Sequence, residues 1–418
     1  MQTYHIKTFG CQMNKSDSER IATIMDQAGY KSAPLNGADL VIFNTCSVRQ
    51  MAEDRAIGQV REAKKRGQKT IITGCLKNQE GFVPKHKEVD IFIDIHDIAD
   101  LPKKLVGAPG QAPLQEYFDI EPKHESPAQA YIPIMTGCNN FCSYCIVPHV
   151  RGEEQSRTPD SIMKEIKDLV SNGCKQITLL GQNVNSYEYE GTSFPDLLER
   201  IAKLEEDLRI FFVTSHPKDL DFSIIELVKK YDKLCPYFHL PIQSGSDRIL
   251  QKMNRKYNCK KYLEIVAEIS QQIPEAAITT DIIVGYPGES KADFQKTVDL
   301  CKQVKYDLAY IARFSPRPQT AAAKVKDDVP PQEKKEREKI LTEIVTKTAL
   351  EQNQKQVSRI SNVLVESSKQ DKDKFQNYGK NEYFKTVKFT SDKSLKDQMV
   401  AVKITEAMSW GLFGQKKK

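Results

Sequence analysis

A chain of 418 residues exceeds one ordinary domain and implies two or three. Its 39% hydrophobic and 28% charged content fits a soluble globular protein, and no apolar run approaches the length of a transmembrane helix. The net charge of +6 sits wholly in the stretch from Glu351 to Lys418, which holds 14 Lys plus Arg against 8 Asp plus Glu. A basic segment beside a neutral remainder points to a polyanion such as nucleic acid.

The opening MQTYHIKTFGC lacks the basic and apolar regions of a secretion signal. The ten cysteines therefore read as metal ligands or catalytic groups rather than as disulfides. Residues 3–9, 40–44, 69–73 and 89–94 read as strands. Between them, 17–28 reads as a helix capped by Ser16 or Asp17 and stopped by Gly29, and 53–66 as a helix closed by Gly67. Such alternation predicts a parallel sheet covered on both faces. Cys11, Cys46 and Cys75 each stand just past the carboxyl end of a predicted strand, in KTFGC, VIFNTC and IITGC. Strand carboxyl ends share one edge of an open α/β sheet, where ligands bind, so the three can converge as a three-thiol cluster.

Residues 105–128, with GAPGQAP and EPKHESPAQ, have linker composition. A second alternation follows, with strands predicted at 131–135, 176–180, 209–214, 237–242, 277–284 and 308–314. Helices are predicted at 159–172, 195–205 and 289–304. Six β/α units predict a partial TIM barrel whose active face is the carboxyl end of its strands. On its first loop lies TGCNNFCSYC, with Cys138, Cys142 and Cys145 in C-x3-C-x2-C spacing. Three clustered thiolates can hold three irons of a cubic cluster and leave the fourth open. Zinc is the alternative, with His149 as a fourth ligand.

The other loops at that mouth are LLGQNVNSY, HLPIQSGSD, IIVGYPGES and FSPRPQT. Gly181 allows close backbone approach, while Gln182, Asn183, Gln243, Ser244, Asp281 and Arg317 offer hydrogen bonds to a cofactor or substrate. A charged helix over 330–356 leads to short strands at 362–366, 386–389 and 399–404, predicting a small antiparallel barrel. Lys380, Tyr383, Lys385 and Lys388 combine basic groups with an aromatic face and are candidate RNA contacts, while Trp410 is expected to fill the small core. Cys174, Cys235, Cys259 and Cys301 have no mutual ligand spacing and read as buried thiols.

C-x3-C-x2-C with aromatic Tyr144 before the last cysteine resembles the signature of radical S-adenosylmethionine (SAM) enzymes. The resemblance implies that SAM chelates the open iron, that Tyr144 lies against its adenine, and that one electron releases a 5′-deoxyadenosyl radical. Over essentially the whole chain, TFGCQMNKSDSE, GCNNFCSYCIVPHVRG, LLGQNVNSY, SHPKDL and HLPIQSGSDRIL resemble the MiaB type of radical-SAM methylthiotransferase. That family implies an α/β domain over 1–108, a linker over 109–127, a radical-SAM barrel over 128–350 and a TRAM RNA-binding domain over 351–418. It also implies two [4Fe-4S] clusters, on Cys11/Cys46/Cys75 and Cys138/Cys142/Cys145. The first would carry sulfur, and the second would generate the radical that takes hydrogen from carbon 2 of N6-isopentenyladenosine, at position 37 beside the anticodon.

Its implied partners are a tRNA anticodon stem-loop and an electron donor such as flavodoxin or ferredoxin, met in the cytoplasm by a monomer. The sulfur source is left open. Rival substrates in the family are threonylcarbamoyl-adenosine in tRNA and a ribosomal-protein aspartate, and a non-catalytic iron–sulfur RNA-binding protein is the alternative from another class. Departures from the family pattern include Gln319, where glycine is usual, Ala321, where proline is common, and GQN in place of an acidic triplet.

Overall fold

A computed structural model describes residues 2–48, 50–105 and 116–417. Strands β1 (Thr3–Thr8), β2 (Lys31–Ser32), β3 (Leu40–Thr45), β4 (Lys69–Gly74) and β5 (Ile91–Phe92) form one parallel sheet in the order β2-β1-β3-β4-β5. Every residue of β3 is buried, as an LVIFNT run requires when both faces are covered. Side chains alternate along β3. Leu40 and Ile42 pack with Ile21, Ile24 and Met25 of α1 (Gln12–Gln27), and Val41 and Phe43 pack with Ala56, Ile57 and Val60 of α2 (Gln50–Lys65).

The first helix starts five residues before the predicted position. Cys11 is its N-cap, and Ser16 and Asp17 are buried inside it rather than capping it. The GAPGQAP segment lies outside the described residues. Residues 116–128, linker-like in composition, are fastened along α1. Tyr117 is buried and its phenol donates to Asp17, Thr23 Oγ1 donates to the Glu121 carbonyl at 2.7 Å, and Lys123 pairs with Asp26 at 2.5 Å.

Six further parallel strands follow in chain order: Gln129–Pro133, Gln176–Leu180, Arg209–Phe212, Tyr237–His239, Ala277–Val284 and Leu308–Arg313. They pair three by three. The halves meet where Cys235 N–H donates to Ile210 O at 2.9 Å and Ser215 N–H to His239 O at 3.3 Å. Ile132, Ile177, Leu179, Ile210, Phe238 and Ile278 pack outward against helix residues such as Ile166, Leu198, Ile224 and Ile265. The intervening residues, Tyr131, Thr178, Phe211, Tyr237 and Thr279, therefore turn inward.

Helix Pro331–Gln354 leads to a closed barrel of Ile360–Asp371, Lys374–Lys380, Thr386–Ser391, Gly411–Lys416 and Met399–Met408. Its pairs are antiparallel except Thr386–Ser391 with Gly411–Lys416. Two of its strands, Lys374–Lys380 and Gly411–Lys416, escaped the sequence reading because Asn, Gly, Gln and Lys interrupt their apolar alternation. Val363, Val365, Val387, Phe389, Val402, Ile404 and Leu412 fill the small core. Trp410 does not. It is 55% exposed at a hairpin tip, edge-on to Phe413.

The small barrel caps the amino ends of the large strands. Phe384 stacks on Tyr237 at 4.7 Å, Arg209 donates to the carbonyls of Asn362 and Lys380, and Lys385 pairs with Asp307. Among the described residues no helix is long and apolar enough to cross a membrane.

Candidate active site

The carboxyl ends of β1, β3 and β4 are neighbours, and each leads into a cysteine. Gly10 and Gly74, before Cys11 and Cys75, hold φ of +112° and +79°, a region that favours glycine. A Cβ on Gly10 would lie 2.5 Å from Cys46 Cβ and 3.2 Å from its sulfur, and one on Gly74 2.5 Å from the Thr45 carbonyl. Buried amides fasten the three ends together. Asn14 Nδ2 donates to Asn44 Oδ1 at 3.0 Å and to Thr45 O at 2.9 Å, and Asn44 Nδ2 returns to Asn14 O at 2.7 Å. Burial, followed by the nearness of Cys75 and Cys11, pushes the Cys46 thiol up to about 12. A metal stabilises a buried thiol such as Cys46 as the thiolate.

The second trio lies on the loop after the first barrel strand. Gly137 holds φ +78° where the loop crosses Gly152 and Glu153, and Cys138 N–H donates to Gly152 O at 3.1 Å. Further along, Ser143 N–H donates to Met253 O at 3.0 Å and Asn254 Nδ2 to Phe141 O at 2.9 Å. Burial, with Cys142 and Cys138 close by, pushes the Cys145 thiol up to about 12. His149, the candidate fourth zinc ligand, is exposed, with its ring edge-on to Phe141. Among the described residues no group of three or more His, Cys, Asp or Glu is gathered tightly enough to hold a single metal ion.

One residue ties the segment that follows the second trio to the first trio. Arg151, six residues after Cys145, donates from Nε to Cys75 Sγ at 3.4 Å and from Nη2 to Asp17 at 2.7 Å, with side chains only 3% and 0% exposed. Ile146 and Val150 of the same segment pack against Cys75. The cysteine edge of the first sheet therefore faces the mouth of the large barrel. Arg255 is the matching residue at the other trio, donating to Cys142 Sγ at 3.4 Å, Pro241 O at 2.8 Å and Tyr257 Oη at 2.9 Å. Neither arginine was singled out from sequence. Arg151 lies within GCNNFCSYCIVPHVRG, but nothing in MNRKY marks Arg255.

A cavity of about 650 Å³ opens at this seam, lined by Tyr144, Cys145, Gln243, Asp281 and Arg317, with Val48, Met51 and Tyr310. Four of the eight predicted loop residues thus converge. Gln243 holds φ +68° and leaves its buried Oε1 unpaired, while Asp281 meets His239 at 3.3 Å. Arg317 has protein partners of its own. It donates to Gln50 at 2.8 Å and to the Ser47 carbonyl, holding the loop after Cys46. The other four lie away from the lining. Gly181 is crowded by Met135, Asn183 donates to Asp219 at 2.7 Å and accepts from His216 N–H, and buried Ser244 accepts from Ser246 N–H. Gln182 keeps a buried Oε1 without a partner. Gln319 adopts a left-handed φ of +67°, a conformation that favours glycine, and its Oε1 accepts from Glu80 N–H at 3.1 Å.

The candidate RNA contacts separate. Lys380 donates to Thr386 Oγ1 at 2.8 Å, Tyr383 packs with Phe211 and Tyr237, and Lys385 is bound by Asp307 and Asn353. These three belong to the seam between the barrels, because the basic–aromatic cluster in sequence is also what that seam uses. Lys388 lies over the rings of Tyr378 and Phe413 on the far strand.

Residues 132–301 match the model of the Radical SAM superfamily, and residues 3–94 that of Uncharacterized protein family UPF0004. Across 99% of its length the chain is 44% identical to the tRNA-2-methylthio-N(6)-dimethylallyladenosine synthase of Clostridium tetani, covering 96% of that protein. It is 42% identical to the enzyme of the same name from Thermoanaerobacter pseudethanolicus, over 99% and 92% of the two chains. Its fold is similar to that of the radical S-adenosylmethionine methyltransferase TsrM from Kitasatospora setae, solved with cobalamin and a [4Fe-4S] cluster. The TM-score is 0.56 at 12% identity, over 77% of each chain. With two thiol trios across one seam and this similarity end to end, the chain belongs to the tRNA-2-methylthio-N(6)-dimethylallyladenosine synthase family.

Proposed function

We infer that this chain adds a methylthio group to carbon 2 of N6-isopentenyladenosine at tRNA position 37. The observation that carries the reading is full-length similarity to enzymes of that name, supported by a cavity that Cys145 lines and by the bond from Arg151, six residues after it, to Cys75. Cys138, Cys142 and Cys145 would hold the radical cluster, and Cys11, Cys46 and Cys75 the sulfur cluster, each leaving one iron without a protein ligand. The donor set fits. Arg255 is 8% exposed and, among the described residues, has no carboxylate within 4.0 Å, so an anionic cluster on Cys142 would supply its counter-charge. When bound, the clusters and SAM supply reductive cleavage of SAM, removal of the C2 hydrogen, and the sulfur and methyl that replace it.

The residues of the chain orient and shield the reactants. Tyr144 offers a ring beside Cys145 for the adenine of SAM, while Gln243 and Asp281 offer hydrogen bonds across the cavity. Arg317 holds the Cys46 loop over the mouth, and the seam keeps water and stray C–H bonds from a reactive carbon. The proposed units are 1–108, the linker 109–127, 128–350 and the RNA-binding 351–418. They would meet the tRNA anticodon stem-loop and a flavodoxin- or ferredoxin-type donor, as a cytoplasmic monomer.

Mass spectrometry of tRNA nucleosides from a strain lacking the gene tests the reading. Loss of the 2-methylthio nucleoside and accumulation of its isopentenyl precursor, reversed by the wild-type gene but not by Cys142→Ala, is expected. An unchanged nucleoside profile would overturn it.

A further inference from the structure

Among the described residues each trio has one arginine whose N–H points at a cysteine sulfur, and the two arginines differ in their counter-charge. Arg255 donates to Cys142 Sγ at 3.4 Å, and its other partners, Pro241 O and Tyr257 Oη, are neutral. Arg151 donates to Cys75 Sγ at the same 3.4 Å, but Asp17 sits 2.7 Å from its Nη2. Reducing an iron–sulfur cluster adds one negative charge. Hydrogen bonds to its sulfurs and nearby positive charge favour that state, and so raise the potential. A lone buried guanidinium acts with its full charge, whereas a guanidinium–carboxylate pair is nearly neutral at the distance of the cluster.

We propose that Arg255 and the Arg151–Asp17 pair set the two clusters at unequal potentials, so that an incoming electron settles on the Cys138/Cys142/Cys145 cluster rather than on the Cys11/Cys46/Cys75 cluster. The inference rests on the two-cluster reading above. Its benefit is directional, because the electron is needed where SAM is cleaved and is wasted on the cluster that carries sulfur. Arg151 and Arg255 are thus positioning residues, acting on the reaction through the cysteines they touch.

The test is an anaerobic potentiometric titration followed by electron paramagnetic resonance on the full chain, with SAM added to identify the radical-cluster signal. Iron analysis comes first. A wild-type protein with one cluster's worth of iron would defeat the two-cluster reading itself, independently of the potentials. With both clusters loaded, Arg255→Gln should lower the reduced-to-oxidised ratio of the radical cluster at fixed potential by about tenfold, a shift of about 59 mV, and leave the other within about threefold. Asp17→Asn, which uncovers the charge of Arg151, should raise the potential of the sulfur cluster by a similar amount. The double variant Arg151→Gln/Asp17→Asn, which removes both charges, should return it to within about threefold of wild type. Should Arg255→Gln fail to load its cluster, Arg255→Lys keeps the charge, and a tenfold shift in that variant would refute a charge-based role. A radical cluster unmoved by Arg255→Gln, or a sulfur cluster unmoved by Asp17→Asn, would overturn the proposal.

Discussion

Gly137→Ala separates the loop geometry from the cysteines themselves. Gly137 holds φ +78°, which alone costs an L-residue about 1–2 kcal/mol. The larger effect is steric. A Cβ there would overlap the Glu153 carbonyl and stand 2.8 Å from the Gly152 carbonyl oxygen, all of it backbone. Relief requires the loop to move by about an ångström, which breaks the 3.1 Å bond from Cys138 N–H to Gly152 O. A displacement of that size at a reacting centre lowers rates by roughly 10²-fold. Gly152→Ala is the comparison variant, since its φ of +75° is also positive but nothing lies within 4 Å of the added carbon. Anaerobic SAM cleavage, read as 5′-deoxyadenosine by chromatography, should fall by about 10²-fold in Gly137→Ala and by less than about threefold in Gly152→Ala. Equal losses in the two variants would refute the steric argument.

Cys46→Ala should retain reductive SAM cleavage yet form no thiolated nucleoside, and thiolated product from it would remove that cysteine from the sulfur site. Lys385→Ala leaves Asp307, 11% exposed, without its cation, and should destabilise the chain by ~3 kcal/mol, seen as a lower thermal midpoint. Lys388→Ala should leave that midpoint nearly unchanged while weakening tRNA binding and reducing its salt slope by about 1. Stability lost at Lys388 instead of Lys385 would reverse these assignments. Burial, with Arg255 and Lys218 nearby, pulls the His216 imidazole down to about 2 from its ordinary 6.5. Below pH 6.5 the unfolded chain takes a proton that the folded chain refuses, so stability falls with pH by up to about 1.4 kcal/mol per unit. His216→Gln should flatten the fall in anaerobic melting temperature between pH 6.5 and 5.5, and parallel curves would contradict it.

The parts of the molecule readable from sequence are those whose local chemistry has one outcome. LVIFNT can only be a strand covered on both faces, and cysteines just past the ends of neighbouring parallel strands fall on one sheet edge, as Cys11, Cys46 and Cys75 do. The start of α1 was misplaced because Ser16 and Asp17 are good caps in isolation. Their burial against Arg20, Arg151 and Tyr117 is decided by residues far along the chain. The same long-range pairing hid the roles of Lys385 and Arg317. A lysine or arginine on a loop looks alike whether it meets a phosphate or, as here, Asp307 or the Ser47 carbonyl. Arg255 was invisible for that reason too, since its meaning depends on Cys142, 113 positions away.

Iron and acid-labile sulfide per polypeptide, determined on the full chain reconstituted without oxygen, test the central claim most directly. Two three-thiol sites of equal standing predict about eight irons, falling to about four in Cys138→Ala/Cys142→Ala/Cys145→Ala and likewise in Cys11→Ala/Cys46→Ala/Cys75→Ala. About four irons in the wild type, unaffected by loss of either trio alone, would contradict it.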